Sequence, residues 1–212
     1  MQPEARSPMT VTDYSKARRL LARRDPVLRE LMRECGPCGL ADAQHTDPFR
    51  ALVSAIISQQ LSTKAAATIK ARLDALLAPR LTASRLAAVS DDALRNVGLS
   101  RQKVAYLRDL CNRVTSGDLA LDQLDAMSDD KVVVALTSVK GIGRWTAEMF
   151  LMFRLHRPDV LPVGDLGIVK AVQRAYNMRK VPTPERLTKL GEQWRPYRSV
   201  ACWYLWASLD SK

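Results

Sequence analysis

The feature that most limits this chain is a period. From Asp47 to near the C-terminus its apolar residues return every three or four positions, and no stretch alternates as a half-buried strand would. Asp47-Pro48 places an N-cap before a proline at the first helical position, and Phe49, Leu52, Val53, Ile56 and Ile57 follow at helical spacing. Ser62 opens a second helix through Ala65, Ile69, Leu73 and Leu76. Shorter helices are expected over 81–89 and 91–96, and longer ones over 100–114, 129–136, 144–155 and 166–176, with two more over 184–193 and 196–209. Stripes of this kind can be buried only helix against helix. The expected fold is therefore all-α, with about ten short helices on tight connections. Residues 1–12 lack the pattern and read as a disordered tail, leaving 13–212 as the folded domain.

One connection asks for more than a turn. Residues 139–150 read VKGIGRWTAEMF, in which Gly141 and Gly143 bracket a single isoleucine between two apolar helical runs. A glycine C-cap accounts for one glycine, not two. Glycine admits positive φ and lets another molecule's backbone come close. A glycine turn that runs straight into a helix aims free amide N–H groups outward, where the helix dipole adds partial positive charge. Such a nest suits a phosphate oxygen. Lys140 and Arg144 flank it, and Thr146 lies in the first turn beyond. Contacts of this sort fix register on a strand without reading bases. A fainter copy precedes it: LRNVGLSRQKVA from Leu94 echoes LTSVKGIGRWTA from Leu136, each a helix, a glycine-bearing turn and a helix.

Charge agrees with a polyanionic partner. Lys and Arg outnumber Asp and Glu 33 to 22, a formal net charge of +11. The four cysteines are Cys35, Cys38, Cys111 and Cys202. Cys35 and Cys38 form a C-x2-C that could be half of a zinc site, but no second pair has ligand spacing and only His45 and His156 could assist. Reduced, buried thiols and no metal are the expectation. The N-terminus has no apolar leader core, and no apolar run approaches the ~20 residues of a membrane span. The expected setting is cytoplasmic, at the nucleoid if the source is bacterial, with no membrane partner.

With the hairpin stands a second signal, LPVGDLG, about ten residues after the helix that follows the glycines. Hairpin and loop aspartate in this order resemble the helix-hairpin-helix DNA glycosylase superfamily. DPFRALVSAIISQQLSTKAA from Asp47, GLSRQKVAYL from Gly98 and WRPYRSVACWYLW from Trp194 resemble its alkyladenine branch, the 3-methyladenine DNA glycosylase II type. The resemblance covers about residues 25–210. It implies two helical lobes with the active-site cleft between them, the hairpin at 136–151 in the lobe made by the middle of the chain, and N- and C-terminal segments sharing the other. It also implies excision of alkylated purines from duplex DNA by base flipping, in base excision repair, by a monomer.

The resemblance makes Asp165 the catalytic residue. Read alone, Asp165 is an N-cap for a helix from Leu166, a place where the dipole favours a carboxylate anion. The roles are compatible. Glycosidases usually need a second carboxylic acid to protonate the leaving group, but an alkylated purine is already cationic, and a fixed anion need only stabilise the oxocarbenium-like sugar. Trp145 stands where family members that also cut the backbone carry a lysine nucleophile, which implies a monofunctional enzyme. A flipped base needs an aromatic pocket; the resemblance gives Trp145, Met149 and Trp206 that place, while Trp194 and Trp203 read as core. Gln60, or Leu61 beside it, matches the wedge that fills the hole left in the duplex. Glu148 reads as a solvated face residue. No redox cofactor is implied, and the resemblance allows a structural monovalent cation between hairpin carbonyls and phosphate. Two other readings stay open at this point: a non-catalytic DNA-binding hairpin module, and a bifunctional glycosylase/lyase that uses another lysine.

Overall fold

The computed structural model describes residues 9–42 and 47–210. His45, the tail up to residue 8 and the last two residues lie outside the described residues. Those described form twelve α-helices: α1 (Val11–Arg24), α2 (Pro26–Cys35), α3 (Pro48–Ser58), α4 (Thr63–Leu76), α5 (Ala83–Ala88), α6 (Asp91–Asn96), α7 (Arg101–Ser116), α8 (Asp129–Thr137), α9 (Arg144–Phe153), α10 (Leu166–Ala175), α11 (Pro184–Gly191) and α12 (Arg198–Asp210). Three 3-10 turns join them, and no strand occurs among the described residues. Helix α1 begins at Val11, two residues inside the expected tail; α1 and α2 are additions to the helices delineated from the sequence. No described helix is long and apolar enough to cross a membrane.

The chain divides into two compact units. One runs from 47 to 150 and the other joins 9–42 to 151–210, the division falling within α9. In the first, α7 is the central element: α3, α5 and α6 all pack on it. Leu52, Ile56, Leu86, Leu94, Leu107 and Leu110 are wholly buried there. Ser62, Thr82, Ser90 and Ser100 each cap the helix they precede through a side-chain oxygen.

In the second unit α12 packs against α1, α2 and α10. Its polar centre is Asp25, 2% exposed. Oδ1 accepts from the N–H groups of Val27 and Leu28 as the N-cap of α2, at 3.0 and 3.2 Å. Oδ2 accepts from Trp194 Nε1 (2.9 Å), Gln193 Nε2 (3.1 Å) and the Tyr176 hydroxyl. Five donors on one buried carboxylate tie the start of α2 to the ends of α10 and α11. Burial, then the hydrogen bond to Asp25, push the Tyr176 phenol well above its ordinary range, so it stays a donor. The segment between α9 and α10 is gripped by the start of α12. Asp159, buried, accepts from Arg195 and Arg198, and Ser199 Oγ donates to Arg157 O at 2.6 Å and accepts from Val160 N–H at 3.0 Å. That segment carries Asp165.

Candidate active site

The hairpin is built in the first unit. After α8, Val139 and Ile142 drop into the core, 1% and 4% exposed, and leave Lys140, Gly143 and Arg144 outside. The two glycines do different work. Gly141 has φ +82°, and a Cβ there would lie 2.1 Å from the ring of Tyr106 on α7. Glycine is needed because the turn is left-handed and the Tyr106 ring fills the space a side chain would take. Gly143 has nothing within 4 Å of where a Cβ would be. A side chain would fit there, so nothing within the fold requires glycine at this position.

Three polar contacts fix this turn. Lys140 N–H donates to Asp109 Oδ2 at 2.9 Å, Gln59 Nε2 donates to Gly141 O at 2.7 Å, and Arg113 holds Asp109 from the same helix at 3.0 Å. Burial alone would raise the Asp109 carboxyl; the Lys140 amide and Arg113 outweigh it and hold the group below its ordinary value. The carbonyls of Val139 and Gly141 accept from Ile142 N–H and Gln59. A bridging cation could draw only on their remaining lone pairs.

The first-turn amides of α9 have no acceptor within the helix. Thr146 is 7% exposed, so its side chain is interior and its expected DNA contact narrows to the backbone N–H. Glu148 corrects the sequence reading: it is 6% exposed, not solvated, and accepts from the outward-lying Arg144 at 3.0 Å. A buried acid one turn below pins the arginine over the hairpin. Trp145 is 49% exposed, and Met149, one turn on, is half-buried.

The expected wedge loop lies between α3 and α4. Gln60 is exposed at φ +56°, a conformation that non-glycine residues seldom adopt. Leu61 beside it is 38% exposed. Lys103 holds the loop in shape, its ammonium donating to Ile57 O and Gln59 O, both at 2.7 Å, at the C-terminal end of α3 where a cation is favoured. Burial lowers its pKa from the usual lysine value. Gln59, Lys103, Tyr106 and Asp109 therefore support hairpin and loop together, although the sequence offers no local sign of it.

The second unit holds the aspartate. Asp165 caps α10, and its Oδ1 accepts from Ile168 N–H at 2.7 Å and from the indole Nε1 of Trp206 at 2.9 Å. It is 8% exposed, with exposed Gly164 before it. Trp206 stacks on Phe153, ring centroids 5.9 Å apart and planes 26° apart. Gly167 completes the arrangement: a Cβ there would come within 3.0 Å of Asp165 Oδ1 and 3.1 Å of the Trp206 indole. A carboxylate oxygen thus takes two N–H donors beside an aromatic pair whose outer member, Phe153, is exposed. Phe153 was not among the expected residues; its signal is the extension of Trp145 and Met149 by one more turn. Trp194 is wholly buried, as a core position is, whereas Trp203, expected in the core, is half-buried and packs edge-on against Tyr204. No described cysteine is in a disulfide.

The hairpin and the aspartate both lie in a stretch of the chain that matches known proteins. Residues 53–196 match the model of the HhH-GPD superfamily of base excision DNA repair proteins. The chain belongs to this superfamily. DNA-3-methyladenine glycosylase 1 of Schizosaccharomyces pombe is 33% identical over 163 residues, 76% of this chain and 72% of that protein. The crystal structure of a DNA-3-methyladenine glycosidase from Bacillus halodurans is 40% identical with a TM-score of 0.81, covering 92% of this chain and 89% of that one. The S. pombe 3-methyladenine DNA glycosylase Mag1, in complex with abasic DNA, matches with a TM-score of 0.77 at 29% identity over 92% of this chain and 97% of its own. Lys140, Gly143 and Arg144, all exposed, make the hairpin surface the candidate contact for a DNA backbone.

Proposed function

We propose that this HhH-GPD protein is a monofunctional DNA glycosylase that releases alkylated purines of the 3-methyladenine class from duplex DNA and leaves an abasic site. The observation that carries this reading is Asp165, fixed by Ile168 N–H and Trp206 Nε1 on one oxygen, beside the Trp206–Phe153 stack. An alkylated purine is cationic, so it leaves without protonation by a second acid, and its charge favours an aromatic face. As the glycosidic bond breaks, positive charge grows on the sugar, and a preorganised carboxylate stabilises it. Asp165 also orients the attacking water. Trp206 acts twice in this reading, as a pocket wall and as the donor that aims Asp165. Trp145, with no amine, forms no imine with the sugar. Met149, beside Trp145 on α9, contributes a polarizable surface to the pocket. Gln60 or Leu61 fills the gap in the duplex, and the hairpin amides with Lys140 and Arg144 grip the backbone. The relatives named above support DNA as the partner; alkylated substrates, action as a monomer and a cytoplasmic setting belong to the proposal.

The test is base release from methylated duplex DNA, followed by borohydride. Free methylated purine, an uncut abasic strand and no trapped complex are expected. A borohydride-trapped covalent complex would replace this reading with a glycosylase/lyase, and DNA binding without base release would replace it with a non-catalytic module.

Gly167→Ala tests the aiming of Asp165. The added methyl must push either the carboxylate or the indole by a few tenths of an ångström. Since a misplacement of about 1 Å can cost on the order of 100-fold, single-turnover base release should fall roughly tenfold, with Tm changed by no more than a few degrees. Wild-type rates in a well-folded variant would show that the Asp165–Trp206 contact does not set the geometry of the reaction.

A further inference from the structure

Helices α1 and α2 form a groove that none of the roles above uses. Arg18 and Arg19 line it from α1, and Arg29, Met32 and Arg33 from α2. Its single acid, Glu30, is engaged by Arg33 one turn away. Arg18, Arg19 and Arg29 have no carboxylate partner among the described residues; other surface arginines such as Arg95 and Arg186 share that, and what sets these apart is their gathering in one trough. Arg18 is half-buried, and its Nε is closed off from solvent with no acceptor among the described residues. A buried N–H without an acceptor costs stability, and guanidiniums gathered on two packed helices repel one another. Packing alone would be served by the aliphatic stems; it does not account for an arginine set that faces an open trough of about 590 Å³. That volume and openness suit a length of polymer backbone rather than an enclosed small molecule.

We infer that this arginine groove is a second contact for the DNA phosphodiester backbone, separate in sequence from the hairpin and indifferent to damage. Guanidinium is the side chain whose planar fork matches phosphate oxygens, and a phosphate seated here would offset the mutual repulsion of the arginines. The formal charge of +11 is spread well beyond Lys140 and Arg144, as expected if more than one surface meets the polyanion. The inference rests on the reading that the protein acts on duplex DNA. It adds a DNA contact on the second unit, the one that carries Asp165.

The test uses the full-length double variant Arg19→Gln/Arg29→Gln. Both side chains are exposed, so Tm should be unchanged. Binding to undamaged and to abasic duplex is measured across salt concentrations, with wild type and Gly143→Asp in parallel. The double variant should weaken both duplexes equally, about tenfold near 0.1 M salt. The slope of log Kd against log salt should fall by about two, since each phosphate contact contributes roughly 0.9. An unchanged slope in a folded variant overturns the groove while leaving the hairpin and the proposed reaction standing. Unchanged duplex binding with lost binding to a polyglutamate probe assigns the groove to an acidic protein surface and also overturns it. A wild type that neither binds duplex nor releases base takes the functional reading down first, and the groove with it.

Discussion

Asp165→Asn should lose ~10²–10³-fold in the rate of base release, the range for removing one preorganised charge-stabilising group, while fold and DNA affinity stay close to wild type. The substitution isolates charge because asparagine is as good an N-cap as aspartate. Its amide oxygen can still accept from Ile168 N–H and Trp206 Nε1, which both use a single oxygen of the native side chain. What disappears is the negative charge that faces the developing oxocarbenium ion. Asp165→Ala would be a poorer probe, since it removes a helix cap and strands the Trp206 indole as well. The measurement is single-turnover release of methylated purine at saturating enzyme, with affinity for abasic duplex read alongside. Release at the wild-type rate would remove Asp165 from the chemistry. A fall in affinity equal to the fall in rate would make it a binding residue instead.

Asp165 also shows what a sequence can disclose about such a site. Its cap role follows from the residues just after it, and the observed helix starts at Leu166 as that role requires. The caps at Asp47, Ser62 and Ser100 are legible for the same reason: capping is local, and the donor lies within three residues. The C-terminal end of α9 is less legible. The apolar pattern runs on to Leu155, yet the helix closes at Phe153, because His156 takes φ +50° and bonds to Tyr14 from a distant part of the chain. The same distance hides the supports of the site. Gln59 reaches Gly141 across 82 residues, and Trp206 reaches Asp165 across 41. No period or spacing encodes those pairings. Glu148 fails differently: its i,i+4 relation to Arg144 is plain in the sequence, but burial depends on what packs over that face of α9. The echo between 94–105 and 136–147 gains a physical basis. Both turns carry a glycine at positive φ, Gly98 at +110° and Gly141 at +82°, followed by a buried aliphatic residue, Leu99 or Ile142.

The hairpin glycines, equivalent in the motif, should part company when substituted. Gly141→Ala places a methyl where the Tyr106 ring already lies and keeps a side chain at positive φ. The left-handed conformation costs about 1–2 kcal/mol, and overpacking adds about 1–3 kcal/mol. Tyr106 cannot yield by moving its tip alone, because Cγ at the root of the ring would lie 2.5 Å from the added methyl. Unfolding free energy should therefore drop by roughly 2–5 kcal/mol, read by denaturant titration, and DNA binding should fail with the fold. Gly143→Asp meets no neighbour and leaves the unfolding curve near wild type. It sets a carboxylate among the first amides of α9, beside Lys140 and Arg144, where a phosphate would otherwise sit. Affinity should fall about tenfold or more, by the same factor for damaged and undamaged duplex, because backbone contacts carry no information about the base. A loss confined to damaged DNA would place Gly143 at the flipped nucleotide. A stable Gly141→Ala protein that binds normally would mean that Tyr106 and the turn can move together, and that the hairpin is shaped by something other than the ring beneath it.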